Sequence, residues 1–138
     1  MRDDDQITRM IKKHEGLSLL PYRDSEGHLT IGWGHNLSYP ISEEAAHQIF
    51  LDDLTIAVNE LMTRKPVVDS LDPSRFGVLA DMCFNLGVNR LLGFKKMWAA
   101  IEAQDWDRAA DEMLDSKWSR QVKGRSLELA RIMRTGEL

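Results

Sequence analysis

The sequence predicts an α+β protein, predominantly helical, in which a small β-hairpin lobe is joined by a long connecting helix to a helical lobe. Three observations carry that expectation. Apolar residues recur at helical spacing through most of the 138 residues. The stretch 17–33 instead reads as two short strands around a Ser25-Glu26-Gly27 turn. A helical pattern from Ser42 to about Arg64 is long enough to link two lobes. A chain of this length can bury about 68% of the surface it exposes when unfolded, so a single domain over 1–138 is expected. Within it lie an N-terminal helix at about 4–15, a hairpin lobe at about 17–41, the connecting helix at about 42–64 and a helical lobe at about 66–138.

Ile7, Met10 and Ile11 mark the first helix, with Asp3 or Asp4 available as N-cap and Gly16 as the residue that ends it. Glu15 then falls in the last turn. In the second strand Leu29, Ile31 and Trp33 share one face, and Thr30 and Gly32 the other. Tyr39-Pro40-Ile41 closes the hairpin lobe. Ser42 caps the connecting helix, and Glu43 and Glu44 suit its positive end. The stripe of that helix is Ala46, Ile49, Phe50, Asp53, Leu54, Ala57 and Leu61. Asp53 is out of place there: a half-buried carboxylate needs a partner. Asp72-Pro73 opens a helix through Leu86, Gly93-Phe94 one to Ala103, and Asp105 one through Leu114. Trp118 begins a short linking element, and Gly124 precedes a last helix ended by Gly136. Two lobes imply a cleft between them as the natural ligand site.

Composition narrows the function. With 43% hydrophobic and 29% charged residues the chain is that of a globular protein. Its one cysteine, Cys83, excludes an intrachain disulfide. The start Met1-Arg2-Asp3-Asp4-Asp5 lacks the apolar run of a signal peptide, and no window is apolar enough for stable membrane insertion. The net charge is −4, yet residues 116–138 carry six cations against Glu128 and Glu137. Such a basic end suits an anionic polymer, or serves as a solvated helix face. His14, His28, His35 and His47 lack zinc spacing, and no phosphate-binding motif exists, so no metal and no cofactor are expected. Trp98, Trp106 and Trp118 read as core residues, with Trp33 the best exception.

Glu15 sits at the negative end of a helix dipole, which disfavours its ionised form, and a dry site would add to that. It could therefore serve as a general acid. Asp24 lies at the hairpin turn, where aspartate is common for local reasons. Each is an ordinary residue when taken alone. As a pair they suggest a protonated and an ionised carboxyl across a groove, the arrangement glycosidases use. Thr30, on the returning strand, brings a hydroxyl near Asp24.

Glu15-Gly16-Leu17, Tyr22-Arg23-Asp24-Ser25-Glu26-Gly27 and Leu29-Thr30-Ile31-Gly32-Trp33-Gly34-His35 resemble the signature of the phage-type lysozymes, the muramidase endolysins of glycoside hydrolase family 24. Phe84-Asn85-Leu86-Gly87, Gly93-Phe94, Trp106-Asp107-Arg108-Ala109-Ala110, Ser116-Lys117-Trp118 and Arg134-Thr135-Gly136 continue the likeness in order. The spacing of eight residues from Glu15 to Asp24 and five from there to Thr30 is its most specific part.

The resemblance implies a lysozyme-like two-lobed fold and hydrolysis of the β-1,4 bond between N-acetylmuramic acid and N-acetylglucosamine in peptidoglycan. Glu15 would protonate the leaving oxygen, while Asp24 and Thr30 hold the water, with inversion. It also implies a His35–Asp53 ion pair as a brace, Arg125 tuning Glu15, and substrate contacts from Phe84, Asn36, Met97 and Glu112, of which Phe84 alone keeps the family's residue type. The expected partner is bacterial peptidoglycan. The protein is expected to be a monomer held in the host cytoplasm until a separate holin-like protein releases it. The connector from Asn36 to Ser42 is shorter than in the best-known members, so the hairpin lobe should be smaller. Two rival readings are a lytic transglycosylase, which Asp24 and Thr30 argue against, and a helical nucleic-acid-binding protein using residues 117–134. A non-catalytic wall binder is a third.

Overall fold

The computed structural model describes residues 5–138, which divide into two compact units, one ending at Ala46 and the other running from His47 to Leu138. The first holds α1 (Gln6–Glu15) and a three-stranded antiparallel sheet, β1 (Ser18–Arg23), β2 (Leu29–Gly32) and β3 (His35–Asn36), in the order β1-β2-β3. The cap of α1 is Asp5, whose Oδ1 accepts from the Thr8 N–H at 2.7 Å, so the helix starts later than expected. Asp3 and Asp4 lie outside the described residues. Gly16 ends α1 with φ 72°, and its N–H donates to the Lys12 carbonyl, which leaves Glu15 as the last helical residue.

The hairpin register is Ser18 opposite Gly32, Tyr22 opposite Thr30 and Arg23 opposite Leu29, with an irregularity between Ser18 and Tyr22. Pro21 lies inside that bulged stretch, where a missing N–H costs no ladder bond. On the other side Thr30 faces Asn36 and Ile31 faces His35. Two residues form too short a strand to show any alternation, so β3 had no sequence signal. Thr30 is the centre of the sheet, flanked by Tyr22 and Asn36, and is 3% exposed.

The long helix α2 (Glu43–Arg64) starts as expected, with Ser42 Oγ accepting from the Ala45 N–H at 3.0 Å. Its stripe differs from expectation. Only Ala57 and Leu61 are buried, Ile49 and Phe50 are 53% and 43% exposed, and Asp53 is exposed. Helical spacing showed which residues share a face; it could not show that only the final turns of that face meet the core. The half-buried position expected for Asp53 is therefore corrected.

Beyond a 3-10 turn, Pro66–Ser70, come α3 (Pro73–Leu86), α4 (Val88–Leu92), α5 (Lys95–Glu102), α6 (Trp106–Leu114), α7 (Lys117–Gln121) and α8 (Lys123–Thr135). The turn and α4 have five residues each and were not expected. The last helix begins at Lys123 and takes in Gly124. Asp72 caps α3 by accepting from the Arg75 N–H, and Asp105 caps α6 through the Arg108 N–H. Leu61, Val68, Leu79, Met82, Leu91, Met97, Ile101, Met113 and Met133 are fully buried. Every buried apolar side chain among the described residues lies between Ala57 and Met133, in the second unit.

Candidate active site

Asp24 follows the last residue of β1 and is held by the tight turn after it. Its Oδ1 accepts from the backbone N–H groups of Glu26 and His28, at 2.9 and 2.8 Å. The turn is closed by the Asp24 N–H on the His28 carbonyl and the Gly27 N–H on the Asp24 carbonyl. Gly27, at φ 83°, supplies the left-handed residue that this geometry needs. The His28 N–H holds the Asp24 carboxyl below its ordinary value, and the Glu26 N–H and the nearby His28 ring add to the effect. Asp24 is thus an ionised carboxylate with one oxygen spent on the backbone. The other, Oδ2, lies 3.5 Å from His28 Nδ1.

Thr30 joins this arrangement through the same residue. Its hydroxyl donates to the His28 carbonyl at 2.8 Å, while the His28 N–H serves Asp24. The Thr30 proton is occupied, so toward a ligand its oxygen is an acceptor. Asn36 is directly across the ladder from Thr30 and so shares its face, with Oδ1 accepting from the Ser38 N–H at 2.8 Å.

Glu15 is carried to the same unit's sheet by the end of α1. Its side chain lies against Gly34: a Cβ on Gly34 would fall 2.5 Å from Glu15 Oε2. Glu15 is exposed. Lys12, one turn earlier, places Nζ 4.3 Å from the centre of the half-exposed Trp33 ring. His35 leaves Nε2 buried and without a hydrogen-bond partner among the described residues.

In the second unit, Met97 and Glu112 line one groove of about 550 Å³ with Phe94 and Trp118 and four cations, Arg90, Lys95, Lys96 and Lys117. Met97 is 1% exposed, which makes it floor and leaves it little surface to offer a ligand. Phe84 stands apart from that groove, its ring 5.5 Å from that of Phe50. Trp98 and Trp118 are core residues, as expected, with indole N–H groups donating to the Leu91 carbonyl and to Asn85 Oδ1.

Arg125 is engaged locally. Its Nε donates to Asp81 Oδ1 at 2.7 Å, a surface link from α8 to α3. Arg134 likewise bonds Asp107 and Asp111 of α6. Two of the six cations in the basic segment are thereby neutralised by acids from other helices, which weakens the nucleic-acid reading. The cationic groove and the His28 contact were missed in the sequence. The Lys95-Lys96 pair after Phe94 was the available signal for the first, and the four-residue step from Asp24 to His28 for the second.

The first unit thus carries two carboxyls in different settings, one exposed at a helix end and one fixed as an anion on a hairpin. The model of the phage lysozyme family matches residues 12–135. The probable T4-type lysozymes 1 and 2 of Dictyostelium discoideum are 30% and 29% identical, and the alignments cover 96% and 94% of this chain and 95% and 94% of theirs. The pre-baseplate central spike protein Gp5 of Enterobacteria phage T4 is 29% identical over 96% of this chain and 28% of its own length. The chain belongs to the phage lysozyme family and is a lysozyme, a glycoside hydrolase of bacterial peptidoglycan.

Proposed function

We propose that the chain cleaves the β-1,4 bond between N-acetylmuramic acid and N-acetylglucosamine with Glu15 as proton donor and with Asp24 and Thr30 as the holders of the attacking water. The observation that supports this most is the shared anchoring of Asp24 and Thr30 on His28. A water that donates one proton to Asp24 Oδ2 and the other to Thr30 Oγ1 turns its lone pair outward, toward the anomeric carbon. Attack from that side, with Glu15 protonating the leaving oxygen from the other, inverts the configuration. Asp24, already ionised, takes the proton that the water loses.

Phe84, Asn36, Met97 and Glu112 are the proposed substrate contacts. Asn36 is favoured by its place beside Thr30, and Met97 and Glu112 by their common groove. His35 and Asp53 are proposed as a brace, for which the buried and unbonded Nε2 of His35 speaks.

Turbidity clearing of purified peptidoglycan tests the proton donor. Glu15→Gln should clear at least about 10²-fold more slowly than wild type, the share that general acid catalysis contributes. Full activity in that variant would remove Glu15 from the mechanism. Mass spectrometry of the products separates hydrolysis from transglycosylation, since anhydro-muramic ends would rule out the water.

The monomeric state and the holin-dependent release also belong to this proposal. The named test is expression in a bacterial host: viable cells until the membrane is permeabilised, and lysis at once thereafter.

A further inference from the structure

Gly34 has φ +83°, a value that already favours glycine. A second constraint acts on its other side. The Glu15 side chain returns from the end of α1 and lays its carboxyl group on the bare Cα of Gly34. A Cβ there would meet Glu15 Oε2 at 2.5 Å, Cδ at 3.1 Å and Cγ at 3.6 Å. Among the described residues, no other glycine meets a carboxylate in this way. Gly16, Gly27, Gly32 and Gly87 have equally left-handed backbones and open space where a side chain would go.

Backbone strain and crowding therefore separate cleanly. Gly87, at φ +84°, shares the positive φ of Gly34 with nothing within 4 Å. What crowds a side chain at 34 is the free end of a glutamate, which can rotate away. The fold would tolerate the intrusion by moving the carboxyl group, so the burden falls on the acid's position. We infer that Gly34 is a positioning residue for Glu15: its missing Cβ is the seat that fixes the acid's rotamer at the sheet. This rests on the reading of Glu15 as proton donor. Clearing a 2.5 Å approach to ordinary contact moves the carboxyl by about an ångström, a misplacement that can cost about 10²-fold in rate.

The test sets Gly34→Ala beside Gly87→Ala, with Glu15→Gln as the inactive reference. Both alanine variants should lose a similar few degrees of melting temperature, because both place alanine at positive φ. On soluble peptidoglycan fragments, Gly34→Ala should lose about 10²-fold in kcat with KM within about twofold of wild type, since the loss is one of geometry at the reacting atom. Gly87→Ala should keep its kcat. In 13C-glutamate-labelled protein, the Glu15 carboxyl resonance, identified by its absence from Glu15→Gln, should move in Gly34→Ala and stay in place in Gly87→Ala.

Wild-type kcat in Gly34→Ala, an equal loss in Gly87→Ala, or an unmoved Glu15 resonance would each overturn the inference. If Glu15→Gln is itself fully active, the proton-donor reading fails, and the resonance still reports whether Gly34 seats the carboxyl. Should Gly34→Ala not fold, the Glu15→Ala/Gly34→Ala pair decides. Recovery of a cooperative melt supports the contact, and no recovery overturns it.

Discussion

Asp24 spends one carboxylate oxygen on two backbone N–H groups, and its acidity follows from that. A carboxyl depressed in the folded state stabilises the fold above the unfolded pKa of about 3.9 and loses that contribution as pH falls through its lower folded value. The stability difference between wild type and Asp24→Asn should therefore be constant from neutral pH down to about 4 and shrink below it. Thermal melts of both proteins between pH 2 and 7 measure this; a gap that widens on acidification would contradict the direction assigned to Asp24. In wall clearing, Asp24→Asn should be slower by about 10²-fold, because the amide cannot take the water's proton. The sequence suggested Glu15, Asp24 and Thr30 only as a set, through their spacing and the family resemblance. The local contacts around them were not legible, because His28 bonds Asp24 and Thr30 through its main chain and Gly34 meets Glu15 where it lacks a side chain. Asp53 shows the opposite limit: its register suggested a half-buried carboxylate, whereas the structure leaves it exposed.

Among the elements, α8 depends on a residue from another helix. Arg75 of α3 donates from Nε to the Met133 carbonyl at 2.7 Å and from Nη2 to the Arg134 carbonyl at 3.1 Å. Its guanidinium also bonds Asp72 and stacks 4.2 Å from the centre of the Trp106 ring. One planar group thus satisfies two carbonyls at a helix end and ties α3, α6 and α8 together. Removing it leaves those acceptors unpaired, so Arg75→Ala should cost about 2–3 kcal/mol, and Arg75→Lys should recover only part of it. Urea unfolding with an unchanged slope would measure the cost; a change within 0.5 kcal/mol, the usual scale for surface substitutions, would show the cap to be dispensable. The helices themselves were readable wherever a cap announced them, at Ser42, Asp72 and Asp105. The 3-10 turn, α4 and β3 were not, since each is too short for its pattern to repeat even twice.

For the whole molecule, the burial is lopsided. The unit ending at Ala46 contributes Thr30 as its sole buried side chain among the described residues, while the second unit contains the entire buried apolar cluster. A piece of chain of 46 residues, close to the limit of about 40 below which domains need staples, has no buried apolar side chain among its described residues to hold it together. A fragment spanning 47–138 should therefore unfold cooperatively by circular dichroism, whereas a 1–46 fragment should give the spectrum of an unordered peptide. A cooperative melt for the shorter piece would refute this account. The switch from strand to helix periodicity was visible in the sequence, but the location of the core was not, because α1 and α2 carry apolar stripes like those of the buried helices.

The irregular first strand has a consequence for behaviour at high concentration. A sheet with open margins is a template on which further chains can polymerise. Here one margin is β1, kinked and carrying Pro21, and the other is β3, with two residues. Neither offers a regular row of donors and acceptors to an incoming strand. With Leu19 and Leu20 exposed at that margin, the irregular backbone is what blunts it against edge-to-edge pairing.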